Sequence, residues 1–248
     1  MNDDAIPAAT LILVRDREGA APELLMVERA AGMAFAAGAW VFPGGRIDEA
    51  DVALGQAHDS GDAAARVAAI RETIEETAVP VGLSPLTWAG TVQEAQRQLV
   101  EGADFGQVLA DCGLELDLKA LTPLARWVPR FHAKRRFDTL FFVARAPEGD
   151  WNPRVIEGEC TGASWITAAQ VLDRDRNGEL QLIFPTRRTL ERLAQHSNFS
   201  EILADADAHS IEPITPWLEE KNGERFVAIP EGIGFPVTRE RLEGLWRG

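Results

Sequence analysis

Short apolar runs bounded by charged or glycine-bearing turns open the chain, a pattern typical of β-strands. Residues 8–14 form a β-branched apolar run, and residues 23–27 form a second run that predicts its hairpin partner. A third stretch, residues 40–42, ends at the Pro-Gly-Gly sequence 43–45, where a sharp turn is predicted. This part of the chain therefore predicts the beginning of a β-sheet.

The apolar spacing changes to that of an α-helix between Asp62 and Val79. Val67, Ile70 and Ile74 recur on one face of this segment. A Pro-Val-Gly sequence at 80–82 ends it. This is the clearest helix that the sequence predicts.

Residues 84–120 predict a helical insertion over one face of the sheet, because apolar residues recur there at helical spacing. Further strands are predicted at 124–128, at 137–144 and at 163–166, the last leading into a helix, and further helices at 186–195 and 199–206. The tail from 213 to 236 carries proline, glycine and one strand-like run, so we expect it to wrap the domain as extended chain.

Length and composition fit one elaborated α/β domain. The chain has 248 residues, of which 46% are hydrophobic, which is enough to bury a sizeable core. We expect a single domain over 1–248, with the helical insertion at about 84–120 and a C-terminal extension at about 197–248.

Charge and cysteine content narrow the function classes. The net charge of −14 disfavours nucleic-acid and membrane-surface partners. Cys112 and Cys160 lack zinc-ribbon spacing and are too few for a disulfide framework. The acidic residues at 1–4 and the lack of a long apolar run predict a soluble, cytoplasmic protein.

Three carboxylates carry the candidate chemistry. Glu72, Glu75 and Glu76 stand at i, i+3 and i+4 on the predicted helix, so they share one face within a turn. A hard divalent cation such as Mg²⁺ or Mn²⁺ would relieve their repulsion. The competing interpretation is an ordinary solvated acidic face.

The residues around these carboxylates favour the metal site. Phe-Pro-Gly-Gly at 42–45 lies upstream, and Arg71 directly precedes Glu72 in the sequence R-E-T-I-E-E-T-A-V at 71–79. This combination resembles the box of the Nudix hydrolases, which follows the pattern G-x5-E-x7-R-E-U-x-E-E-x-G-U with U apolar. The resemblance extends over about residues 7–195.

The box is longer here than in the family pattern. Residues 46–70 separate Gly45 from Arg71, about 12 more than the pattern has, and the first acidic position falls on Asp51 or on Glu49. The polar stretch 52–61 is expected to loop out between the turn and the helix.

The resemblance implies an α/β/α sandwich on a mixed sheet and hydrolysis of a nucleoside diphosphate conjugate by metal-activated water. Glu72, Glu75 and Glu76 would hold the metal, and Arg71 would pair with a box carboxylate. Gly44 and Gly45 would let the backbone approach the helix, its metals and the substrate. The general base stays open among Glu157, Glu159 and a box glutamate, Glu75 or Glu76.

A lengthened box also resembles the branch that includes a peroxisomal acyl-coenzyme A diphosphatase. Similar segments are Ala-Arg-Trp at 125–127, the run 135–142, and Pro-Thr at 185–186. Coenzyme A or an acyl-coenzyme A is therefore the expected substrate, with Arg135 and Arg136 as anchors for a phosphate outside the metal site.

Other functions on the same fold remain as alternatives. ADP-ribose or a sugar nucleotide could be the substrate, and a catalytically silent nucleotide-binding module would not need the three glutamates. A diphosphate isomerase would need a cysteine as proton donor, and neither cysteine lies near the box in sequence. Whether the chain forms a homodimer is left open.

Overall fold

The computed structural model describes residues 5–33, 36–85, 89–129, 136–156 and 158–242. The strands of this described part are, in chain order, β1 (Ile6–Arg17), β2 (Ala20–Arg29), β3 (Trp40–Val41), β4 (Gly44–Arg46), β5 (Leu83–Ser84), β6 (Glu115–Leu116), β7 (Thr122–Trp127), β8 (Phe137–Arg145), β9 (Cys160–Thr167), β10 (Pro213–Ile214), β11 (Trp217–Lys221), β12 (Glu224–Ala228) and β13 (Arg239–Arg241). The helices are α1 (Glu49–Gly55), α2 (Ala63–Thr77), α3 (Ala89–Val100), α4 (Phe105–Cys112), α5 (Ala168–Arg176), α6 (Phe184–Leu193) and α7 (Phe199–Asp207).

A mixed sheet forms the centre of the fold. Its strands lie in the order β10-β7-β8-β1-β2-β3, with β4 paired to β1 and β9 paired to β2. Strand β1 runs parallel to β8 and antiparallel to β2 and β4. The predicted hairpin of β1 and β2 is confirmed.

Strand β1 is buried on both faces, as a central strand covered by helices must be. Leu11 and Leu13 face the cluster that α2, α3 and α4 complete, whereas Ile12 and Val14 face the cluster formed with α5, α6 and α7. The resulting α/β/α sandwich confirms the predicted fold class. The insertion is helical as predicted, and it packs onto α2, where the buried Gln96 donates a hydrogen bond to the Glu75 carbonyl at 3.1 Å.

Two predictions of loops and turns are wrong. Pro43 lies at a bend, but Gly44 and Gly45 belong to β4, because they pair with Thr10 and Ala9 of β1. Part of the stretch expected to loop out is helical and packed, since α1 ends at Gly55 and lies against α2.

Gly55 is where α1 and α2 come close together. A Cβ atom built on Gly55 would lie 2.7 Å from the backbone nitrogen of Ala64. Gly55→Ala is therefore expected to force the helices apart and to lower the free energy of unfolding by about 1–3 kcal/mol. Urea denaturation measures this, with Gly61→Ala as the matched control, since a Cβ at Gly61 meets no atom within 4 Å.

The C-terminal tail is more ordered than the extended chain that the sequence predicts. Strands β11, β12 and β13 form a separate three-stranded antiparallel sheet. Glu240 of β13 forms ion pairs with Arg187 at 2.5 Å and with Arg188 at 2.9 Å, which ties this sheet to α6. The described helices include none with the length and apolar character needed to cross a membrane.

Candidate active site

Strand β4 lies directly against helix α2, and glycine makes this approach possible. A Cβ atom on Gly45 would lie 2.7 Å from Oε2 of Glu72, and one on Gly44 would lie 2.8 Å from the Cα of Thr10. The Gly44 N–H donates a hydrogen bond to Oε2 of Glu76 at 3.2 Å. A side chain at Gly44 would clash with the backbone of β1, and one at Gly45 would displace the carboxylate of Glu72.

Arg71 links the acidic face of α2 to α1. Its Nε and Nη2 atoms each donate to an oxygen of Asp51 at 2.9 Å, and its Nη1 donates to Oε1 of Glu72 at 2.9 Å. A longer hydrogen bond of 3.4 Å reaches Glu75. Asp51 is fully buried and accepts both of these hydrogen bonds, which favours Asp51 over Glu49 for the first acidic position of the box.

The guanidinium of Arg71 keeps its proton and its positive charge. Burial opposes it, but the hydrogen bond with Asp51 and the nearby charges of Glu72, Asp51 and Glu75 outweigh burial and raise the pKa of the guanidinium. A bidentate, buried guanidinium–carboxylate pair is a rigid arrangement. Arg71 therefore fixes the directions of two of the three glutamates.

The three glutamates repel one another in a partly dry environment. Burial raises the pKa of Glu72 from its ordinary 4.5 to about 7, against the opposing charge of Arg71. Burial also raises the pKa of Glu75, and burial together with repulsion from Glu72 raises the pKa of Glu76 well above its ordinary value. This face of α2 is poised to accept positive charge.

Cys160 is a site neighbour that the sequence analysis missed. Its Sγ atom lies 3.5 Å from Oε1 of Glu76, although 84 residues separate the two along the chain. Burial, followed by the charge of Glu76, raises the pKa of this thiol. Neither cysteine lies near the box in sequence, but the fold brings Cys160 beside it.

The remaining predicted site residues lie around this centre. Glu159 is exposed, and its charge helps to raise the pKa of both Glu72 and Glu75. Glu157 and Arg135 lie outside the described residues. Arg136 precedes β8, and its carbonyl accepts a hydrogen bond from the Ile6 N–H at 2.8 Å.

The donor set fits a hard divalent cation by its chemistry. In the ranges that the structure describes, no group of three His, Cys, Asp or Glu side chains is already arranged around a metal position. The reason is that Glu72 and Glu75 turn toward Arg71, while Glu76 is held by Gly44 and Cys160. Three adjacent carboxylates with raised pKa values are nevertheless oxygen ligands of the kind that Mg²⁺ and Mn²⁺ prefer.

The raised pKa of Glu72 predicts how stability depends on pH. Between its ordinary value of 4.5 and about 7, the metal-free folded protein binds more protons here than the unfolded chain does. Its stability is therefore expected to fall as the pH rises through that window. Melting curves without metal should show this fall, Mg²⁺ should reverse it above about pH 7, and Glu72→Gln should flatten it.

Comparison with known proteins agrees with this geometry. A model of the NUDIX domain matches residues 5–100. A crystal structure of a NUDIX hydrolase from Alicyclobacillus acidocaldarius is 30% identical, with a TM-score of 0.70, and the match covers 82% of this chain and 97% of that one.

Two other solved structures are more distant in sequence. The NUDIX domain of Shewanella oneidensis NrtR, solved with ADP ribose, is 17% identical over 77% of this chain and 86% of that one, with a TM-score of 0.46. A MutT NUDIX hydrolase from Burkholderia pseudomallei is 18% identical over 76% of this chain and 98% of that one, with a TM-score of 0.44.

A glycine-bearing strand lies against a carboxylate-rich helix within a helix-covered mixed sheet, and the match to a solved NUDIX hydrolase over 82% of the chain puts this fold in the class of diphosphate-cleaving α/β hydrolases. The chain belongs to the Nudix hydrolase family, whose members are pyrophosphohydrolases and typically depend on a divalent metal.

Proposed function

We propose that this chain hydrolyses a nucleoside diphosphate conjugate and that Glu72, Glu75 and Glu76 hold Mg²⁺ or Mn²⁺ for that reaction. The observation that carries the proposal is the contact of Gly44 and Gly45 with the glutamate face of α2, which Arg71 organises from the other side. A bound cation would neutralise the diphosphate and lower the pKa of a water molecule that it binds.

The chain's own residues then have distinct tasks. Arg71 holds Glu72 and Glu75 in place through hydrogen bonds from its Nη1. Gly44 and Gly45 let the backbone of β4 lie directly against the glutamate face of α2, where the cation and the diphosphate would bind. Glu159 accepts the proton of the attacking water, because it is exposed and its charge acts on the same carboxylates.

Coenzyme A or an acyl-coenzyme A is the proposed substrate. The Ile6 N–H of β1 donates to the Arg136 carbonyl, and Ala9 of β1 pairs with Gly45. Ile6 and Ala9 are three residues apart on one strand, so Arg136 and Gly45 are separated by about 10 Å along β1. An arginine side chain can extend over part of this distance toward a phosphate that lies beyond the diphosphate. Arg135 is proposed as a second anchor on the sequence resemblance alone.

The test is a substrate panel with Mg²⁺ or Mn²⁺ and with products identified by mass spectrometry. Coenzyme A should give 3′,5′-ADP and 4′-phosphopantetheine, and Arg136→Ala should raise KM for coenzyme A more than KM for its 3′-dephospho analogue. Arg145→Ala, at the opposite end of β8, is the matched control. A much higher kcat/KM for ADP-ribose or a sugar nucleotide would replace coenzyme A and leave diphosphate hydrolysis standing, whereas nucleotide binding without any turnover would indicate a silent module.

A further inference from the structure

Glu76 is held on both of its carboxylate oxygens by donors from two different strands. Gly44 of β4 donates its N–H to Oε2 at 3.2 Å, and the thiol of Cys160 in β9 lies 3.5 Å from Oε1. Both Glu76 and Cys160 are buried, at 7% and 3% exposure. The plane of this carboxylate is therefore fixed from the side of the sheet, independently of the contacts that Arg71 makes with Glu72 and Glu75.

A β-bulge brings the cysteine into this position. In the β2–β9 ladder, Glu28 pairs with Gly162 and Arg29 pairs with Cys160, so Thr161 is an extra residue. Cys160 takes the ladder position that a regular strand would give to Thr161, and the bulge thereby directs the thiol to the opposite face of the strand. Bulges of this kind re-aim single side chains beside functional sites.

Packing alone does not account for a thiol at this position. The small cluster around Cys160 consists of apolar side chains, with Val27, Ala39 and Val41 buried in it. Alanine or valine would suit those neighbours, but either would remove the donor to Oε1 of Glu76. Residues that orient a metal ligand commonly change metal affinity by about 10–100-fold when they are replaced.

We propose that Cys160 is a positioning residue for Glu76, holding Oε1 while Gly44 holds Oε2, so that the remaining lone pairs of the carboxylate point toward a divalent cation. This inference rests on the proposed function, because it requires Glu76 to be a metal ligand. A carboxylate has about four lone-pair sites, so two hydrogen bonds leave capacity for a cation.

The test measures Mn²⁺ binding to the substrate-free protein by calorimetry, and melting temperature in parallel. Cys160→Ala is expected to weaken Mn²⁺ binding about fivefold to tenfold, at the low end of the range for such partners because a thiol is a weak donor. Cys160→Ser, which keeps a donor, should recover most of the affinity. Cys112→Ala, at the half-buried cysteine of α4, should bind Mn²⁺ like the unchanged protein.

A purely structural role would give a different pattern. If Cys160→Ala does not fold, Cys160→Val takes its place, because valine fills the space without supplying a donor. The Mn²⁺ affinities of Cys160→Val and Cys160→Ser are then compared, provided that the two variants have equal melting temperatures. Equal Mn²⁺ affinity of the serine variant and a folded donorless variant would overturn the inference. If Glu76→Gln binds Mn²⁺ normally, the metal site itself is misassigned, which separates failure of the proposed function from failure of the role of Cys160.

Discussion

Replacing Glu76 by glutamine is expected to lower kcat about a thousandfold, equivalent to about 4 kcal/mol of transition-state stabilisation. Glutamine keeps the volume of the side chain but lacks the negative charge that attracts a divalent cation. Steady-state kinetics at saturating Mg²⁺ and Mn²⁺ measure the loss. The same variant should melt at a higher temperature than the unchanged protein in chelator at about pH 8, because a buried carboxylate with a raised pKa is removed.

The opposite directions of the two effects make this prediction specific. Replacing a residue that only supports the fold would lower stability and activity together. Replacing a metal ligand whose buried charge is unfavourable without metal lowers activity and raises stability. Glu94→Gln on α3 is the matched control, since Glu94 is an exposed helical glutamate that forms a surface ion pair with Arg97. Normal turnover by a folded Glu76→Gln protein on every substrate that the unchanged protein hydrolyses would remove Glu76 from the site.

Patterns among residues close together in the sequence were sufficient to predict helix α2 and its acidic face. The 3.6-residue spacing of Val67, Ile70 and Ile74 predicts α2, and all three are buried at its contact with the sheet. Once that helix is predicted, the spacing of its glutamates places them on one face. Both steps depend only on residues close together in the sequence.

The features of the site that the sequence left open or did not predict depend on contacts between segments that are distant along the chain. The sequence left the first acidic position open between Asp51 and Glu49, and only the contact of Asp51 with Arg71, 20 residues away, explains why a carboxylate is buried there. Cys160 reaches Glu76 through a bulge in β9, which no single-sequence pattern indicates. Gly44 and Gly45 are typical turn residues, but pairing with β1 makes them a strand.

Removing Arg71 alone is expected to cause the largest loss of stability that a single substitution produces in this region. Arg71→Met should lower the free energy of unfolding by about 3–5 kcal/mol, because it leaves the fully buried Asp51 carboxylate without its bidentate partner. Urea denaturation measures this change. Activity should also fall, since Glu72 and Glu75 lose the hydrogen bonds that direct them.

A double variant separates these two roles. Replacing both partners, as Asp51→Leu with Arg71→Met, removes the stranded charge and fills the space with apolar groups, so much of the lost stability should return. Turnover should not return with it, because the double variant still lacks the guanidinium that holds Glu72 and Glu75.

Recovery of activity together with stability would show that Arg71 serves the fold alone. Additive losses in the double variant would instead show that the two side chains do not act as a pair. The expected pattern, stability restored with activity still low, requires Arg71 to join the buried carboxylate of α1 to the acidic face of α2 and to direct that face at the same time.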